Sequence, residues 1–248
     1  MLTEKRHEII LSLLNKKSFV SLKEILESTN SSESTIRRDL KSLEIENKLK
    51  RVHGGAKSLS RNSIEASYNE KSSLNINEKK SIALFASNLI EDGDCIYLDG
   101  GTTTYSLIEF LSTKKDILVV TNGIHHINAL LDNNIKCFMV GGNLKQSTRV
   151  VLGSEAIKFL NKFRFDKAFL GTNGVHPELG FTTPDIEEAS IKETAIKLSK
   201  ESFILCDSTK IDTISFVKFA DINQCTLVST SNEKINKFKN LTDVKVVD

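Results

Sequence analysis

After about residue 77, short apolar runs alternate with segments of helical periodicity, and no other feature constrains the fold of this chain as much. Such alternation is typical of a mostly parallel sheet that is covered by helices. The predicted strands are Cys95–Leu98, Ile117–Val120, Lys136–Val140, Lys167–Leu170, Phe203–Cys206, Thr226–Val228 and Val244–Val247. Helices are predicted near 78–91, 102–111, 123–132, 154–162 and 185–200. We therefore expect an α/β domain over residues 77–248.

The first 57 residues have a different pattern, that of three short helices followed by a basic hairpin. Thr3, Ser21 and Ser32 are placed to cap helices that end near residues 15, 30 and 47, the last at Asn47. Residues 49–57 predict a hairpin that turns at Gly54-Gly55. This order of elements predicts a winged helix-turn-helix over 1–57, joined to the α/β domain by a polar linker over 58–76.

The charge of the whole chain hides a division between these two parts. The net charge is +2, but residues 1–57 hold twelve basic and eight acidic side chains, which leaves the remainder at −2. The predicted DNA-binding residues are Ser34, Thr35, Arg37, Arg38 and Lys41 on the third helix, and Lys50, Arg51 and His53 with Lys57 in the wing. The alternative is that Arg37 and Arg38 form a solvated helix face and that His53 is a surface residue.

Glycine-rich or small polar segments follow five of the predicted strands. Open α/β sheets bind ligands at these carboxyl ends, and Gly100-Gly101 before a helix start favours a phosphate. The effector-binding candidates are Asp99, Gly100, Gly101, Thr102, Thr103, Thr104, Thr121, Asn122, Gly141, Gly142, Asp185, Glu188, Asp207 and Lys210. Structural roles stay open: a tight turn at Gly100-Gly101, a helix capped by Thr183 with Pro184 as its first residue, and a surface lysine at 210.

Several classes of protein are disfavoured. No apolar run reaches the length of a membrane span, and the charged N-terminus does not suit a signal peptide, so we expect a cytoplasmic protein without a membrane partner. The four cysteines lie far apart and His125-His126 lacks neighbouring ligands, so no metal is expected, and the cysteines are predicted to be buried thiols. The loops match neither a dinucleotide fingerprint nor a P-loop, and no cofactor is predicted.

The motifs together resemble those of one family. Arg6-x3-Ile10-x3-Leu14, Ser32-x2-Thr35-Ile36-Arg37-Arg38-Asp39-Leu40 and His53-Gly54-Gly55-Ala56 resemble the DNA-binding signature of DeoR-type bacterial repressors. Asp99–Thr104, Thr121–Gly123, Gly141-Gly142, Asp166–Gly171, Gly180–Asp185 and Asp207–Lys210 resemble the landmarks of their effector domain. Asn30-Ser31 and Asn47 depart from the family pattern of a glycine and an apolar residue in the turn and a glycine at the helix end.

The resemblance implies a repressor whose effector domain is similar in fold to phosphosugar isomerases and senses a sugar phosphate. The sequences of these motifs are most similar to those of fructose operon repressors, which implies fructose 1-phosphate as the inducer. Double-stranded operator DNA and a homodimer or homotetramer are then expected. Two alternatives stay open: a phosphosugar isomerase with a DNA-binding arm, using Asp185, Glu188, Asp207 and Lys210 for acid–base chemistry, or a repressor that responds to a tagatose or deoxyribose phosphate.

Overall fold

The computed structural model describes residues 2–16, 19–46, 48–52, 54–58 and 66–247, and gives the backbone alone at 15, 16, 57 and 58. The chain divides into two compact units, Met1–Ala66 and Ser67–Asp248. The segment predicted as a linker, 58–76, includes a short helix at Tyr68–Ser72. This helix forms because Ser67 and Glu70 make a capping box, in which each side chain binds the other residue's backbone N–H.

The first unit is a winged helix-turn-helix, as predicted. Its described elements are α1 (Thr3–Lys16), β1 (Phe19–Ser21), α2 (Leu22–Thr29), α3 (Glu33–Ile45), β2 (Leu49–Val52) and β3 (Gly55–Ser58). The strands pair antiparallel in the order β1-β3-β2, and the wing turns at Gly54, whose φ is 81°. The three helices bury a common core that includes Ile10, Ile25 and Ile36.

The capping predictions in this unit have mixed outcomes. Ser21 and Ser32 cap α2 and α3, and Asn30 ends α2 in the left-handed region with φ of 47°. Thr3 is not a cap, because α1 begins at Thr3 itself and the Arg6 N–H bonds the Leu2 carbonyl at 3.1 Å. The predicted helix terminator at Asn47 lies outside the described residues.

The second unit is built on a seven-stranded sheet. Its described helices are α4 (Tyr68–Ser72), α5 (Ile76–Asn88), α6 (Thr102–Leu111), α7 (Ile124–Asp132), α8 (Ser154–Leu160) and α9 (Ile186–Lys197). Its strands are β4 (Cys95–Leu98), β5 (Leu118–Thr121), β6 (Lys136–Met139), β7 (Asn143–Lys145), β8 (Val150–Leu152), β9 (Phe165–Gly171), β10 (Gly174–His176), β11 (Gly180–Thr183), β12 (Ser199–Cys206), β13 (Val217–Ala220), β14 (Thr226–Thr230) and β15 (Val244–Val247).

The order of the main sheet is β15-β14-β12-β9-β4-β5-β6, and each neighbouring pair in it is parallel. The predicted parallel α/β fold is therefore confirmed. Two cores lie on opposite faces, because alternate residues of a strand point to opposite sides. Ile96 packs with α5, α6 and α7, whereas Tyr97 packs with α8, α9 and the small sheet β10-β11-β13.

The short antiparallel strands are absent from the prediction. Residues 180–183 lie outside the predicted strands and helices, but they form β11, which is buried along its whole length between β10 and β13. Gly180 permits this packing, because a Cβ there would stand 2.2 Å from the Ala220 carbonyl oxygen. The Cys206 and Cys225 thiols are buried, as expected, and burial raises the pKa of each to about 12. Cys95 and Cys137 are only half-buried.

Candidate functional site

The third helix of the first unit presents its predicted DNA contacts to solvent. Arg38 and Lys41 are exposed on α3, and Arg37 is exposed beside Glu33, with 2.6 Å between guanidinium and carboxylate. Ser34 is exposed and Thr35 half-buried at the start of α3, and both hydroxyls lie within hydrogen-bond distance of the Ser32 hydroxyl. This face can offer cations and hydroxyls to a duplex.

The wing adds further cations. Lys50 is exposed on β2, and Arg51 forms an ion pair with Glu44 at 2.6 Å. That hydrogen bond lowers the pKa of the Glu44 carboxyl. His53 lies outside the described residues, as does the side chain of Lys57, so their predicted contacts stay predictions.

Asp39 lies on α3 but does not face solvent. Its carboxylate accepts hydrogen bonds from Arg6 Nε at 2.7 Å and Arg6 Nη2 at 3.1 Å, and both residues are buried. The pKa of the Arg6 guanidinium is raised, chiefly by its hydrogen bond to Asp39. Because this acid is neutralised beneath the helix, it does not oppose the exposed arginines.

In the second unit, the strand order reverses between β4 and β9, which are neighbours in the sheet. Asp99 follows β4 there, and its carboxylate accepts the Gly171 N–H at 3.0 Å and the ammonium of Lys192 from α9. Lys192 also donates to the Gly171 carbonyl at 3.0 Å. Lys192 was missed by sequence reasoning, although its place among the apolar residues of the buried face of α9 is an unusual one for a lysine.

The loop after β5 is used mainly to shape the site. Asn122 Oδ1 accepts both the Tyr97 hydroxyl and the Gly100 N–H at 3.0 Å, so that N–H is not offered to a ligand. Gly100 packs closely, because a Cβ there would stand 2.4 Å from Val150 Cγ1. The Thr121 hydroxyl accepts the Gly123 N–H at 3.0 Å.

Two helix N-termini open at this edge without a side-chain cap. Gly101 precedes α6 and Gly123 precedes α7, and neither terminus has a side-chain hydrogen bond at its cap. The first N–H groups of a helix have no acceptor within the helix, so such an end attracts an anion. Thr102 is half-buried and Thr103 is buried, whereas the Thr104 hydroxyl is already bonded to the Asp99 and Gly101 carbonyls.

The start of α9 gathers charged groups. Asp185, and not Thr183, is the N-cap, because its carboxylate accepts the Glu187 and Glu188 N–H groups at 2.8 and 3.1 Å. Pro184 therefore precedes the helix and is not its first residue. These hydrogen bonds and Lys145 lower the pKa of Asp185 against the opposing effect of burial.

Glu188 is buried in the first turn of α9, near the helix start that the sequence predicted. Its carboxylate accepts Lys145 Nζ and the Thr148 hydroxyl, each at 2.8 Å, and Lys145 lies 3.1 Å from Asp185. Lys145 and Thr148 belong to an antiparallel hairpin that sequence reasoning missed. We define the β7–β8 hairpin as residues 143–152.

The loop after β12 combines a buried acid with lysines. Asp207 accepts Asn75 Nδ2 at 3.0 Å and the Thr209 N–H at 3.1 Å. Lys79 is buried beside it, and burial is the main cause of its lowered pKa, with Lys210 and Lys71 acting in the same direction and Asp207 opposing them. Lys79 and Lys71 are further residues that sequence reasoning missed. Lys79, Lys210 and Lys71 lie near the two acids Asp207 and Glu78, so this part of the edge carries a small excess of positive charge that suits an anion.

A cavity of about 520 Å³ lies among α4, α5, α6 and α7, a volume that suits a small ligand. Its lining includes Thr102 at the start of α6, Lys79, Tyr105, and Tyr68 with His125, whose rings stack with centroids 4.3 Å apart. The cavity therefore adjoins both the first loop and the lysine cluster.

Some predicted residues lie away from the strand reversal. Gly141 and Gly142 follow β6, the edge strand, and a Cβ on Gly142 would stand 2.5 Å from the Leu152 carbonyl oxygen of the β7–β8 hairpin. Gly142 therefore allows the hairpin to approach.

His126 is fully buried, and burial lowers its pKa to about 4. Within the described residues, no group of His, Cys, Asp and Glu is arranged to hold a metal ion.

Comparison with known proteins agrees with the two units. The profile of a DeoR-like helix-turn-helix domain matches residues 6–62, and that of a DeoR C-terminal sensor domain matches residues 74–232. The chain is 47% identical over 249 residues to the uncharacterized HTH-type transcriptional regulator FruR of Bacillus subtilis, covering 100% of this chain and 99% of that protein.

Other relatives are named for lactose. The chain is 36% identical to the lactose phosphotransferase system repressor of Staphylococcus epidermidis, with 94% and 93% of the two chains covered. The same repressor of Staphylococcus aureus is 34% identical, with 98% of each covered. Among solved structures, a ribose 5-phosphate isomerase from Methanocaldococcus jannaschii has a TM-score of 0.42 and 17% identity over 55% of each chain.

In the part of the chain that is described, no helix is long and apolar enough to span a membrane.

Proposed function

The chain belongs to the DeoR family of helix-turn-helix transcriptional regulators, and we propose that it represses a sugar-utilisation operon until fructose 1-phosphate binds its sensor domain. The observation that carries this proposal is the strand reversal between β4 and β9, where an uncapped helix opens beside polar loops. Ligands of open α/β sheets bind at such a reversal.

Each part of the effector has suitable partners. The phosphate lies at the start of α6, where Gly101, Thr102 and Thr103 offer N–H groups, and Lys210 and Lys79 supply positive charge. The hydroxyl groups of the sugar bind the carboxylates of Asp185 and Glu188. The cavity lined by Thr102 and Lys79 adjoins the proposed phosphate position.

Operator binding uses the exposed face of α3 and the wing. Arg38 and Lys41 on α3, with Lys50 on the wing, are exposed and can reach bases and phosphates. A single helix-turn-helix reads one half-site, so the active protein is a homodimer or a homotetramer.

The experiment is operator binding by fluorescence anisotropy, without and with fructose 1-phosphate, together with thermal unfolding in the same ligand. We expect the ligand to raise the melting temperature and to weaken operator binding, since a ligand at 100 times its Kd stabilises the folded state by about 2.7 kcal/mol. Absence of a sequence-specific operator complex in both conditions would contradict the repressor. Tagatose and deoxyribose phosphates belong in the panel, because they are the alternative effectors that the sequence leaves open.

Lys210→Met tests the placement of the phosphate. It should bind the operator normally and need about 10–100 times more effector for release, which corresponds to one charge-assisted hydrogen bond. Lys218→Met is the matched control, because Lys218 is an exposed lysine paired with Asp221 three residues away. Equal responses of the two variants would argue against Lys210 as a phosphate ligand.

A further inference from the structure

The β7–β8 hairpin contacts two of the loops that form the proposed effector site and the first turn of α9. The Val151 N–H bonds the Asn122 carbonyl at 2.8 Å, and the Ile124 N–H bonds the Arg149 carbonyl at 3.0 Å. Val150 packs against Gly100 in the loop after β4. The third contact is with α9, where Lys145 and Thr148 bind Glu188. The position of the hairpin therefore depends on the loops around the site.

The turn of the same hairpin holds the first helix of the second unit. The Tyr68 N–H, at the start of α4, donates to the Ser147 carbonyl at 2.8 Å. Ser67 caps this helix and is also the first residue of the second unit. No residue of α4 is buried. This short helix therefore depends on a few contacts, including those of Tyr68 with Ser147 and His125.

We propose that the β7–β8 hairpin transmits effector occupancy to α4, with Lys145 as a positioning residue at one end and the Ser147 carbonyl at the other. The inference rests on the proposed function, in which the effector binds the carboxylates of Asp185 and Glu188. It adds the route by which that event reaches the segment leading to the DNA-binding unit.

The physical basis is competition for two carboxylates. Lys145 lies 2.8 Å from Glu188 and 3.1 Å from Asp185, so sugar hydroxyls that bind these oxygens change the contacts that hold Lys145. Each strand of the hairpin has three residues, and a two-stranded ribbon of that length has little stability of its own. The hairpin therefore moves with its partners, and its turn carries the Ser147 carbonyl away from the Tyr68 N–H.

Two substitutions at one position isolate this hydrogen bond. Tyr68→Pro removes the N–H, and proline is well tolerated here because Tyr68 is the first residue of α4 and Ser67 is extended, with ψ of 160°. Tyr68→Ala removes the same ring contact with His125 but keeps the N–H. The pair therefore differs in the bond to Ser147.

The measurement is operator affinity of the full chain at saturating fructose 1-phosphate, with the ligand-induced rise in melting temperature recorded for each protein. We expect the effector to weaken operator binding at least about tenfold in wild type and Tyr68→Ala, which is within the usual range of allosteric coupling. In Tyr68→Pro, the effector should weaken operator binding less than about threefold, which is below that range. The thermal response should be equal in Tyr68→Pro and Tyr68→Ala, because both lack the ring that lines the cavity. Equal release by Tyr68→Pro and Tyr68→Ala would overturn the proposal.

A second measurement needs no effector. Lys145→Met should raise the amide hydrogen-exchange rate of Tyr68 at least about threefold, because the hairpin loses its ion pairs to α9. Lys158→Met, which removes an exposed ion pair with Glu155 on α8, is the control. An unchanged exchange rate in Lys145→Met would refute the inference even if fructose 1-phosphate binds. Failure of every sugar phosphate to stabilise wild type would instead reject the proposed effector, and the exchange result would still decide the role of the hairpin.

Discussion

Lys192→Met should destabilise the second unit strongly, although it removes no apolar contact of the core. The Lys192 and Asp99 side chains are 6% and 7% exposed, and their ion pair lies at the strand reversal between β4 and β9. After the substitution, the buried carboxylate keeps the Gly171 N–H at 3.0 Å but has lost its counter-charge. Breaking one side of a buried pair costs about 3–5 kcal/mol. For a unit of this size, that lowers the melting temperature by roughly 6–20 °C.

The assay is differential scanning calorimetry of the full chain at pH 7. Lys197→Met is the control on the same helix, since Lys197 and its partner Glu193 are 70% and 53% exposed, and it should change stability by about 0.5 kcal/mol or less. The double variant Lys192→Met with Asp99→Asn removes both charges, so it should recover about 1–3 kcal/mol relative to Lys192→Met alone. A Lys192→Met protein as stable as Lys197→Met would refute the reasoning.

The remaining predictions concern DNA contacts, pH and close packing. Arg38→Ala should cost about 1–3 kcal/mol of operator affinity and relax sequence preference if the side chain contacts a guanine. In the same anisotropy titrations, Lys50→Ala should weaken all sequences alike and reduce the salt dependence, and unchanged affinity in both variants would disprove the assigned surface. Burial lowers the pKa of His126 to about 4, below the usual 6.5 of an unfolded chain. Unfolding therefore takes up a proton between these values, so stability should fall by roughly 3 kcal/mol as pH drops from 6.5 to 4; urea titrations of His126→Asn, which should lack this part of the pH dependence, check it. Gly100→Ala should lower the melting temperature far more than Gly101→Ala, because its Cβ would stand 2.4 Å from Val150 whereas that of Gly101 meets its nearest atom at 3.4 Å, and equal melting temperatures would contradict the packing.

The net charge of the first unit does not show which of its charged side chains face solvent. Asp39 counts as an acid on the helix that is proposed to bind DNA, but it is buried against Arg6 and removes one cation with it. Their charges cancel beneath the helix, whereas Arg38 and Lys41 stay exposed. Charge counting therefore identifies the division of the chain, and the burial of particular pairs decides which charges face outward.

The sequence predicted the location of the candidate effector site better than it predicted the role of each residue there. Most of the predicted loops follow strands that are neighbours in the parallel sheet, so they meet at one edge. Within them, Asn122 and Thr104 are bonded to the loops themselves, and Gly100 is a packing residue. The same types of polar residue can stabilise a loop or bind a ligand, so the sequence alone does not distinguish these two roles.

Elements that depend on local interactions could be predicted from the amino-acid sequence alone. β4, α6 and β15 begin and end at the predicted residues, and Ser21 and Ser32 cap the predicted helices. Apolar periodicity and capping act between residues a few positions apart, so they can be recognised from the chain alone.

The ion pairs that join distant segments depend on the tertiary fold and could not be predicted from the sequence. Lys192 meets Asp99 across 93 positions, and Lys145 meets Glu188 across 43. The first pair depends on β9 lying beside β4, and the second on a hairpin of three-residue strands that packs over the loops. Neither arrangement can be recognised from hydrophobic periodicity along the chain. Strand order and loop packing depend instead on how segments from the whole domain bury their apolar surfaces against one another.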